Sequence, residues 1–352
     1  MNKSDSERIT SILENMNYKL ASKINEADLI VVNMCSIRQS AVDRVYGLIS
    51  KFKKLKMKNS RLKIILTGCI LKEDNKKFKK FFDFILDIKT LKNWPNFLKS
   101  TVIPLPWQRY DGNCDYLKIK PKYKNNSSAF VPISNGCNNF CSYCVVPYVR
   151  GSLVCRNYKE ILEEVKELIK KGFKEIILLG QNVNDYQFKK VNFTQLLKMI
   201  NALPGNFWIR FISPHPKNFS DELIETMAKC QKLVKEIHLP VQSGDNTILK
   251  KMNRNYTVSQ YKNLIKKIRK KISGGIKISS DIIVGFPGET KKQFQNTVKL
   301  VKEINFDKAY IAKYSPRLGT MANKLKDNVS IQEKKRRWQI LEKLINSRWR
   351  HR

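Results

Sequence analysis

The chain has 352 residues, 42% of them hydrophobic, which is enough for about two domains with real cores. No stretch approaches the roughly 18 consecutive apolar residues of a transmembrane helix. The 68 Lys and Arg residues against 30 Asp and Glu residues give a formal net charge of +38. Such an excess suits a phosphate-rich partner such as nucleic acid, although the Lys, Asn and Ile bias of an AT-rich genome accounts for it equally well.

The eight cysteines are too sparse for a disulfide scaffold, and no signal peptide precedes them. We therefore expect a cytoplasmic protein whose thiols stay reduced and are available as metal ligands.

The sequence pattern of residues 1–104 predicts a small α/β domain. A capping-box pattern at Ser4 and Glu7 predicts the start of a first helix, and a second helix is predicted from about Arg38 to Lys54. Strands alternate with these helices, so we predict a parallel sheet built from βαβ units. The predicted strands are 29–32, 62–67 and 84–86.

Residues 105–128 lack a clear period and predict a linker. Residues 129–325 then repeat strand and helix six times, which is fewer than the eight units of a closed barrel and predicts a partial (βα)6 barrel. A basic helix is predicted over 326–352. The predicted barrel strands are 129–134, 175–180, 208–212, 234–239, 276–284 and 306–313.

Unusual residues follow every predicted barrel strand, at the end where sites in such folds gather. Each segment alone is typical of a turn, but all six at one rim indicate a binding site. The segments are 136–144, 180–182, 213–216, 240–244, 285–289 and 314–317.

Three thiols stand close together in the first of these segments, at Cys137, Cys141 and Cys144. A zinc site normally combines two ligand pairs, and the nearest histidine is His215. The spacing instead favours an iron-sulfur loop, with zinc or inert thiols as the alternatives. Three ligands leave one iron of a 4Fe-4S cluster open, and such a vacancy is known to hold and cleave S-adenosylmethionine.

Seven segments carry the motifs of one known family, the radical S-adenosylmethionine methylthiotransferases, which the chain resembles over nearly its whole length. Within that family it is most similar to the branch that methylthiolates isopentenyl-adenosine in tRNA. Branches acting on threonylcarbamoyl-adenosine or on a ribosomal protein are the alternatives. The segments are 33–38, 67–69, 136–151, 178–186, 238–256, 281–290 and 314–320.

The resemblance implies two 4Fe-4S clusters. Cys137, Cys141 and Cys144 would hold the one that reduces S-adenosylmethionine to a 5'-deoxyadenosyl radical. Cys35 and Cys69 would ligate an auxiliary cluster that supplies sulfur. Tyr143 is expected beside the adenine of the cofactor, and the other expected cofactor contacts are Gln181, Asn182, Ser243, Gly285, Phe286, Pro287 and Gly288.

By the same resemblance, two molecules of S-adenosylmethionine are used to methylthiolate C2 of N6-isopentenyl (dimethylallyl) adenosine, on the 3' side of the tRNA anticodon. The implied partners are the tRNA anticodon stem-loop and an electron donor such as flavodoxin or ferredoxin. We expect no membrane contact and a monomer.

The chain departs from the family at both ends. Relatives carry a third auxiliary-cluster cysteine just before the first helix, in a segment that should finish at Met1-Asn2. We expect a misassigned start, a lost beginning, or a substitute thiol from Cys114, Cys155 or Cys230. Relatives also continue into a TRAM-type β-barrel, here expected to be absent or separately encoded.

An active enzyme is therefore one hypothesis, and a truncated remnant that binds tRNA or one cluster without turnover is the second. A radical enzyme with a single cluster is the third. His215 and His238 are candidates for substrate or cofactor contact or for a structural hydrogen bond. Arg38 and Arg150 are candidates for contact with phosphate or with the cofactor carboxylate, since Arg binds either bidentately.

Overall fold

The computed structural model describes residues 1–37, 39–99, 115–123 and 127–347. The chain divides into two compact units, neither of which is continuous in sequence. The first comprises Met1–Asn125 with Val145–Val154, and the second comprises Asn126–Cys144 with Cys155–Arg352. Nothing in the sequence pattern indicated that Val145–Val154 joins the first unit. Arg38, Cys114 and the basic segment 348–352 lie outside the described residues.

The first unit contains a parallel sheet and flanking helices. Its helices are α1 (Asn2–Asn15), α2 (Gln39–Lys58), α3 (Lys72–Phe78), α4 (Trp94–Lys99) and α5 (Val146–Arg150). Its strands are β1 (Leu29–Cys35), β2 (Lys63–Cys69) and β3 (Phe84–Ile85), in that order across the sheet.

Both faces of this sheet are covered by apolar side chains. Leu66 packs with Val45 and Phe52 of α2 on one face. Ile65, the preceding residue of β2, packs with Ile9 of α1 and Trp94 of α4 on the other. Successive strand residues point to opposite faces, so the apolar run of β2 is explained by helices on both sides.

Three predicted boundaries in this unit were wrong. Helix α1 begins at Asn2 instead of Ser4, because Ser4 is buried and its side chain accepts a hydrogen bond from Arg8 and does not cap the helix. Strands β1 and β2 also continue past their predicted ends, through Cys35 and Cys69, because parallel ladder pairing persists beyond the aliphatic runs, from Asn33 opposite Thr67 to Cys35 opposite Cys69.

The second unit contains six parallel strands alternating with helices, and this confirms the predicted partial barrel. Two three-stranded sheets, β4-β7-β10 and β11-β12-β13, are linked by a bridge between Ile209 and Leu233. The six barrel strands are β4 (Ser128–Pro132), β7 (Glu175–Leu179), β10 (Trp208–Phe211), β11 (Glu236–His238), β12 (Lys277–Val284) and β13 (Lys308–Lys313). Short strands are β5 (Ser134–Asn135), β6 (Val154–Cys155), β8 (Gln187–Phe188) and β9 (Val191–Asn192).

Helices follow the barrel strands in chain order, and several begin with the predicted caps. Thr257 and Thr290 form capping boxes with Gln260 and Gln293. The helices are α6 (Tyr158–Lys170), α7 (Phe193–Asn201), α8 (Asp221–Lys229), α9 (Asn246–Lys251), α10 (Val258–Lys271), α11 (Lys291–Ile304) and α12 (Ile331–Asn346). No helix within the described ranges is both long and apolar enough to span a membrane.

Helix α12 is part of the barrel wall, packed along the edge strand β13. Its Trp338 indole donates a hydrogen bond to the carbonyl of Ile311 at 3.0 Å. Its Asn346 amide donates to the carbonyl of Ala309 at 2.8 Å. The helix therefore covers an edge that would otherwise present unpaired backbone groups.

The loop after β12 is held against α12 by a buried ion pair. Glu289 accepts from the backbone amide of Gly285 at 2.7 Å and from Arg337 of α12, also at 2.7 Å. A Cβ at Gly285 would lie 2.3 Å from Lys334 Cγ, and φ there is +69°. Only glycine fits this position.

We predict that Gly285→Ala destabilises the second unit by about 1–3 kcal/mol more than Gly275→Ala does. Gly275 has a similar φ of +80°, but no described atom lies within 4 Å of the place its Cβ would take, so it controls for backbone strain alone. Urea denaturation gives the free energy of unfolding of both variants. Equal losses would show that the contact with Lys334 does not matter.

Candidate cluster and cofactor sites

The cysteine loop after β5 is tightly turned. Its backbone has positive φ at Gly136 (85°) and at Phe140 (45°), and the amide of Cys144 donates to the carbonyl of Cys141 at 2.9 Å. Cys137, Cys141 and Cys144 are all half-buried thiols. Strained backbone of this kind is found where a structure must aim particular side chains.

The end of helix α9 anchors this loop within the second unit. Ser142 donates from its amide to the carbonyl of Met252 at 3.0 Å and from its hydroxyl to the carbonyl of Lys251 at 2.8 Å. The Asn253 side chain donates to the carbonyls of Asn139 and Phe140. The loop therefore keeps its shape through contacts with residues more than a hundred positions away.

Arg254, which lies in segment 238–256 but was not among the predicted site residues, supplies a buried positive charge beside the cysteine loop. Its guanidinium donates to the Cys141 sulfur at 3.6 Å and to the carbonyl of Pro240 at 2.8 Å. Burial works against the charge, but the neighbouring Tyr143, Tyr256 and Cys141 raise the pKa of Arg254. A guanidinium here suits the negative charge that a cysteine sulfur carries when it is a metal ligand.

Tyr143 and Gln181 also lie at this loop. Burial of the Tyr143 hydroxyl raises its pKa well above the ordinary value, so the phenol stays neutral. The Gln181 side chain accepts a hydrogen bond from the amide of Gly136 at 2.6 Å. Gln181 thus shapes the start of the cysteine loop, a role that the sequence alone did not predict.

Several buried polar atoms at the carboxyl ends of the barrel strands have no hydrogen-bond partner among the described residues. They include the hydroxyl of Ser134, Oδ1 of Asn182, Oε1 of Gln242 and the hydroxyl of Tyr314. An orphaned buried polar atom is costly. These atoms therefore suit a polar ligand at this rim, and the hydroxyl, amine and carboxylate groups of S-adenosylmethionine fit them in kind.

The remaining predicted cofactor contacts lie in the loops after β11 and β12. Ser243 is fully buried and accepts from the amide of Asp245 at 3.2 Å, so it shapes its loop. Phe286 lies in the core beside Tyr314 and Met252, with its side chain turned away from solvent. Pro287 is buried, and Gly288 donates from its amide to Asn328 at 2.8 Å.

In the first unit, Cys35 and Cys69 are direct register partners at the carboxyl ends of β1 and β2. Arg150 donates to the Cys69 sulfur at 2.9 Å. Two adjacent thiols with a buried cation match two ligands of an anionic iron-sulfur cluster.

The other candidate side chains have structural partners. Cys155 accepts from the amide of Gln187 at 3.3 Å, and Cys230 is buried, which raises its pKa. His215 caps a short helix by accepting from the amide of Lys217. Burial lowers the pKa of His215 to about 2, so it is neutral at working pH.

His238 belongs to a hydrogen-bonded group inside the barrel. Its Nε2 lies 3.2 Å from a carboxylate oxygen of Asp281, and its Nδ1 lies 3.0 Å from the Ser279 hydroxyl. Its ring meets that of Tyr310 edge-on at 5.7 Å between centroids. The Asp281 side chain is 35% exposed and Tyr310 is 48% exposed, so this group is open to a ligand.

The cysteine loop and the strand-end thiols suit iron-sulfur clusters in the kind of ligand they offer. Within the described ranges, no three Cys, His, Asp or Glu side chains converge as ligands of one metal ion do. A 4Fe-4S cluster instead takes each thiolate on a different iron. A partial barrel with a three-cysteine loop at its carboxyl rim defines the class of radical S-adenosylmethionine enzymes.

Comparison with known families agrees with this class. Residues 131–301 match the radical SAM superfamily, and residues 1–87 match an uncharacterized protein family, UPF0004. The chain is 43% identical to the tRNA-2-methylthio-N(6)-dimethylallyladenosine synthase of Clostridium botulinum (strain Okra / Type B1), over 98% of this chain and 79% of that protein. It is 42% identical to that of Buchnera aphidicola subsp. Cinara cedri, over 100% and 85%.

The chain belongs to the tRNA-2-methylthio-N(6)-dimethylallyladenosine synthase family of radical S-adenosylmethionine methylthiotransferases. This confirms the predicted class, and its cofactors are 4Fe-4S clusters and S-adenosylmethionine.

Solved structures support the fold. The radical S-adenosylmethionine methyltransferase TsrM from Kitasatospora setae, with cobalamin and a [4Fe-4S] cluster bound, superposes with a TM-score of 0.65. It is 14% identical, and the match covers 91% of this chain and 70% of that one. The cobalamin-dependent enzyme OxsB superposes with a TM-score of 0.60 at 12% identity, over 97% and 52%.

We predict that Cys141→Ala lowers the iron content of the reconstituted protein by about four atoms per chain. The reason is that loss of one thiolate from a three-cysteine loop removes its whole cluster. Cys230→Ala, which removes a buried thiol distant in sequence from the loop, is the control and should leave iron unchanged. Equal iron in both variants would contradict the assignment of the cysteine loop.

Proposed function

We propose that this chain methylthiolates C2 of N6-dimethylallyladenosine next to the anticodon of tRNA. The observation that supports it most is the presence of two separate cysteine sites in one chain. One is the Cys137, Cys141 and Cys144 loop, and the other is the Cys35 and Cys69 pair. Forming a methylthio group requires a radical source and a sulfur source. A single cluster of either kind does not supply both.

The roles of the two sites follow from their surroundings. When bound, a 4Fe-4S cluster and S-adenosylmethionine supply the radical chemistry, while the protein orients and shields the reactants. The cysteine loop would hold its cluster through three cysteine sulfurs, and the Cys141 sulfur accepts a hydrogen bond from Arg254. The unpartnered oxygens of Asn182 and Gln242 would receive polar groups of the cofactor.

The Cys35 and Cys69 pair would hold the auxiliary cluster, with Arg150 as a neighbouring cation. Cys35 and Cys69 are the two cysteines of the first unit that the structure describes. We therefore assign them as two ligands of the cluster, with the sulfur that enters the product held at that site.

The His238 and Asp281 group is our candidate for contact with the substrate base. Alternation along β12 places Asp281 and Ser279 on one face, whereas Ile278 and Ile282 are fully buried on the other. One carboxylate oxygen of Asp281 is hydrogen-bonded to His238, so the second oxygen is the one that can accept from a substrate. An adenine with an N6–H donor presents the matching hydrogen-bond group.

The remaining elements of the proposal concern partners and location. The net charge of +38 suits the tRNA backbone. We propose a flavodoxin or ferredoxin as electron donor, a monomer located in the cytoplasm, and no membrane contact.

We predict that this 352-residue chain, expressed anaerobically in cells lacking their own enzyme, produces 2-methylthio-N6-dimethylallyladenosine in tRNA. Nucleoside mass spectrometry of purified tRNA measures it. The Cys137→Ala variant is the negative control. If only unthiolated dimethylallyladenosine is found in both, the chain is a remnant without turnover.

We predict that Asp281→Asn raises the KM for tRNA by about 10-fold, equivalent to about 1.4 kcal/mol, because an amide nitrogen replaces one acceptor. Formation of 5'-deoxyadenosine without tRNA should not change. Asp221→Asn is the control, since Asp221 is 73% exposed and pairs with Lys267 on the outer helices. Equal KM values in the two variants would remove Asp281 from the substrate site.

A further inference from the structure

Arg150 is a buried cation of the first unit with several polar partners. Its side chain is 2% exposed, and it donates to the Asp5 carboxylate at 2.6 Å. It also lies 3.0 Å from the Tyr116 hydroxyl and 3.2 Å from the Asn2 side-chain oxygen. Its Nε–H points at the Cys69 sulfur at 2.9 Å.

The position of this guanidinium is set by packing on both sides. Val145 and Val149 of the same segment pack against Leu71 and Cys69. Asp5 is fully buried in α1, and its carboxylate holds the Nη2 side of the Arg150 guanidinium. Arg150 therefore cannot turn to solvent, and its Nε–H stays aimed at sulfur.

A neutral thiol is a weak acceptor for so strong a donor. A cysteine sulfur bound to iron carries negative charge, and a charge-assisted hydrogen bond to it is roughly twice as strong as a neutral one. The second sulfur, of Cys35, stands opposite Cys69 across the β1 and β2 ladder. The cation thus lies at the site where an anionic cluster would place its charge.

We propose that Arg150 is a positioning residue of the auxiliary cluster, which donates a hydrogen bond to the Cys69 ligand and raises the reduction potential of that cluster. Hydrogen bonds to cluster sulfurs and nearby charge are established determinants of such potentials. The Nε–H bond to the Cys69 sulfur strengthens as that sulfur gains charge on reduction, so it favours the reduced form, while Asp5 balances the net charge of the guanidinium. The inference rests on the proposed function only in assigning Cys35 and Cys69 to a cluster.

The test uses the full chain with Cys137, Cys141 and Cys144 all changed to Ala, so that only the auxiliary cluster remains. Its midpoint potential is measured by a redox titration followed by electron paramagnetic resonance. Arg150→Met is combined with Asp5→Leu, because removing one member of a buried pair strands the other charge, whereas removing both is often tolerated.

The double variant should keep its iron and show a more negative midpoint potential than the parent. The Arg150→Lys variant keeps the charge but loses the planar guanidinium. Its midpoint potential should therefore fall between those of the parent and the double variant. The control is Arg156→Met with Glu164→Leu, a partly buried pair at 2.7 Å in the second unit, and it should leave the potential unchanged.

An unchanged potential in the Arg150 double variant, with its cluster still bound, would overturn the proposal. So would a parent that binds no cluster through Cys35 and Cys69. Neither readout needs tRNA or turnover. A failure to form the methylthio nucleoside together with a shifted potential would therefore reject the proposed activity and leave the role of Arg150 intact.

Discussion

Parallel strand pairing is the constraint on which both sites depend. In a parallel sheet, residues at the carboxyl ends of neighbouring strands come together at one edge, whatever their distance in sequence. This brings Cys35 opposite Cys69 in the first unit. In the second unit the same rule collects the cysteine loop, Asn182 and Gln242 at one rim. Function is therefore carried by loops and strand ends placed by a regular scaffold.

Buried charges then give these strand ends a fixed shape. Arg337 and Glu289 hold the loop after β12, and Arg150 and Asp5 hold α5 against Cys69. Buried ion pairs add little net stability. Their value here is positional, because each pair fixes backbone or sulfur in a direction that apolar packing alone leaves free. The same residues would also keep ligands in place while cofactors bind and leave.

The architecture was largely predictable from the sequence, because apolar runs and capping boxes are local signals. The strands of the barrel and the boxes at Thr257 and Thr290 are examples. The cysteine loop was predictable for the same reason, since its three thiols lie within eight residues. Boundaries set by tertiary contacts were less so, as the start of α1 shows, where Ser4 serves Arg8.

The cations beside the sulfurs were not predictable in these roles. Arg254 is 113 residues from Cys141, and Arg150 is 81 residues from Cys69. No local pattern links such positions. Phe286 shows the converse case, since its motif is local whereas the packing of its side chain with Met252 and Tyr314 is set by the fold. Motifs identify segments, but only the fold shows which side of a segment faces the site.

The central claim is that the two cysteine sites have different tasks, one generating the radical and the other providing sulfur. The most direct test counts 5'-deoxyadenosine and 2-methylthio nucleoside together, in reconstituted Cys137→Ala and Cys35→Ala variants given reductant, S-adenosylmethionine and tRNA. We expect neither product from Cys137→Ala, and 5'-deoxyadenosine without methylthio nucleoside from Cys35→Ala. Methylthio nucleoside formed by Cys35→Ala, or loss of 5'-deoxyadenosine from it, would contradict the division.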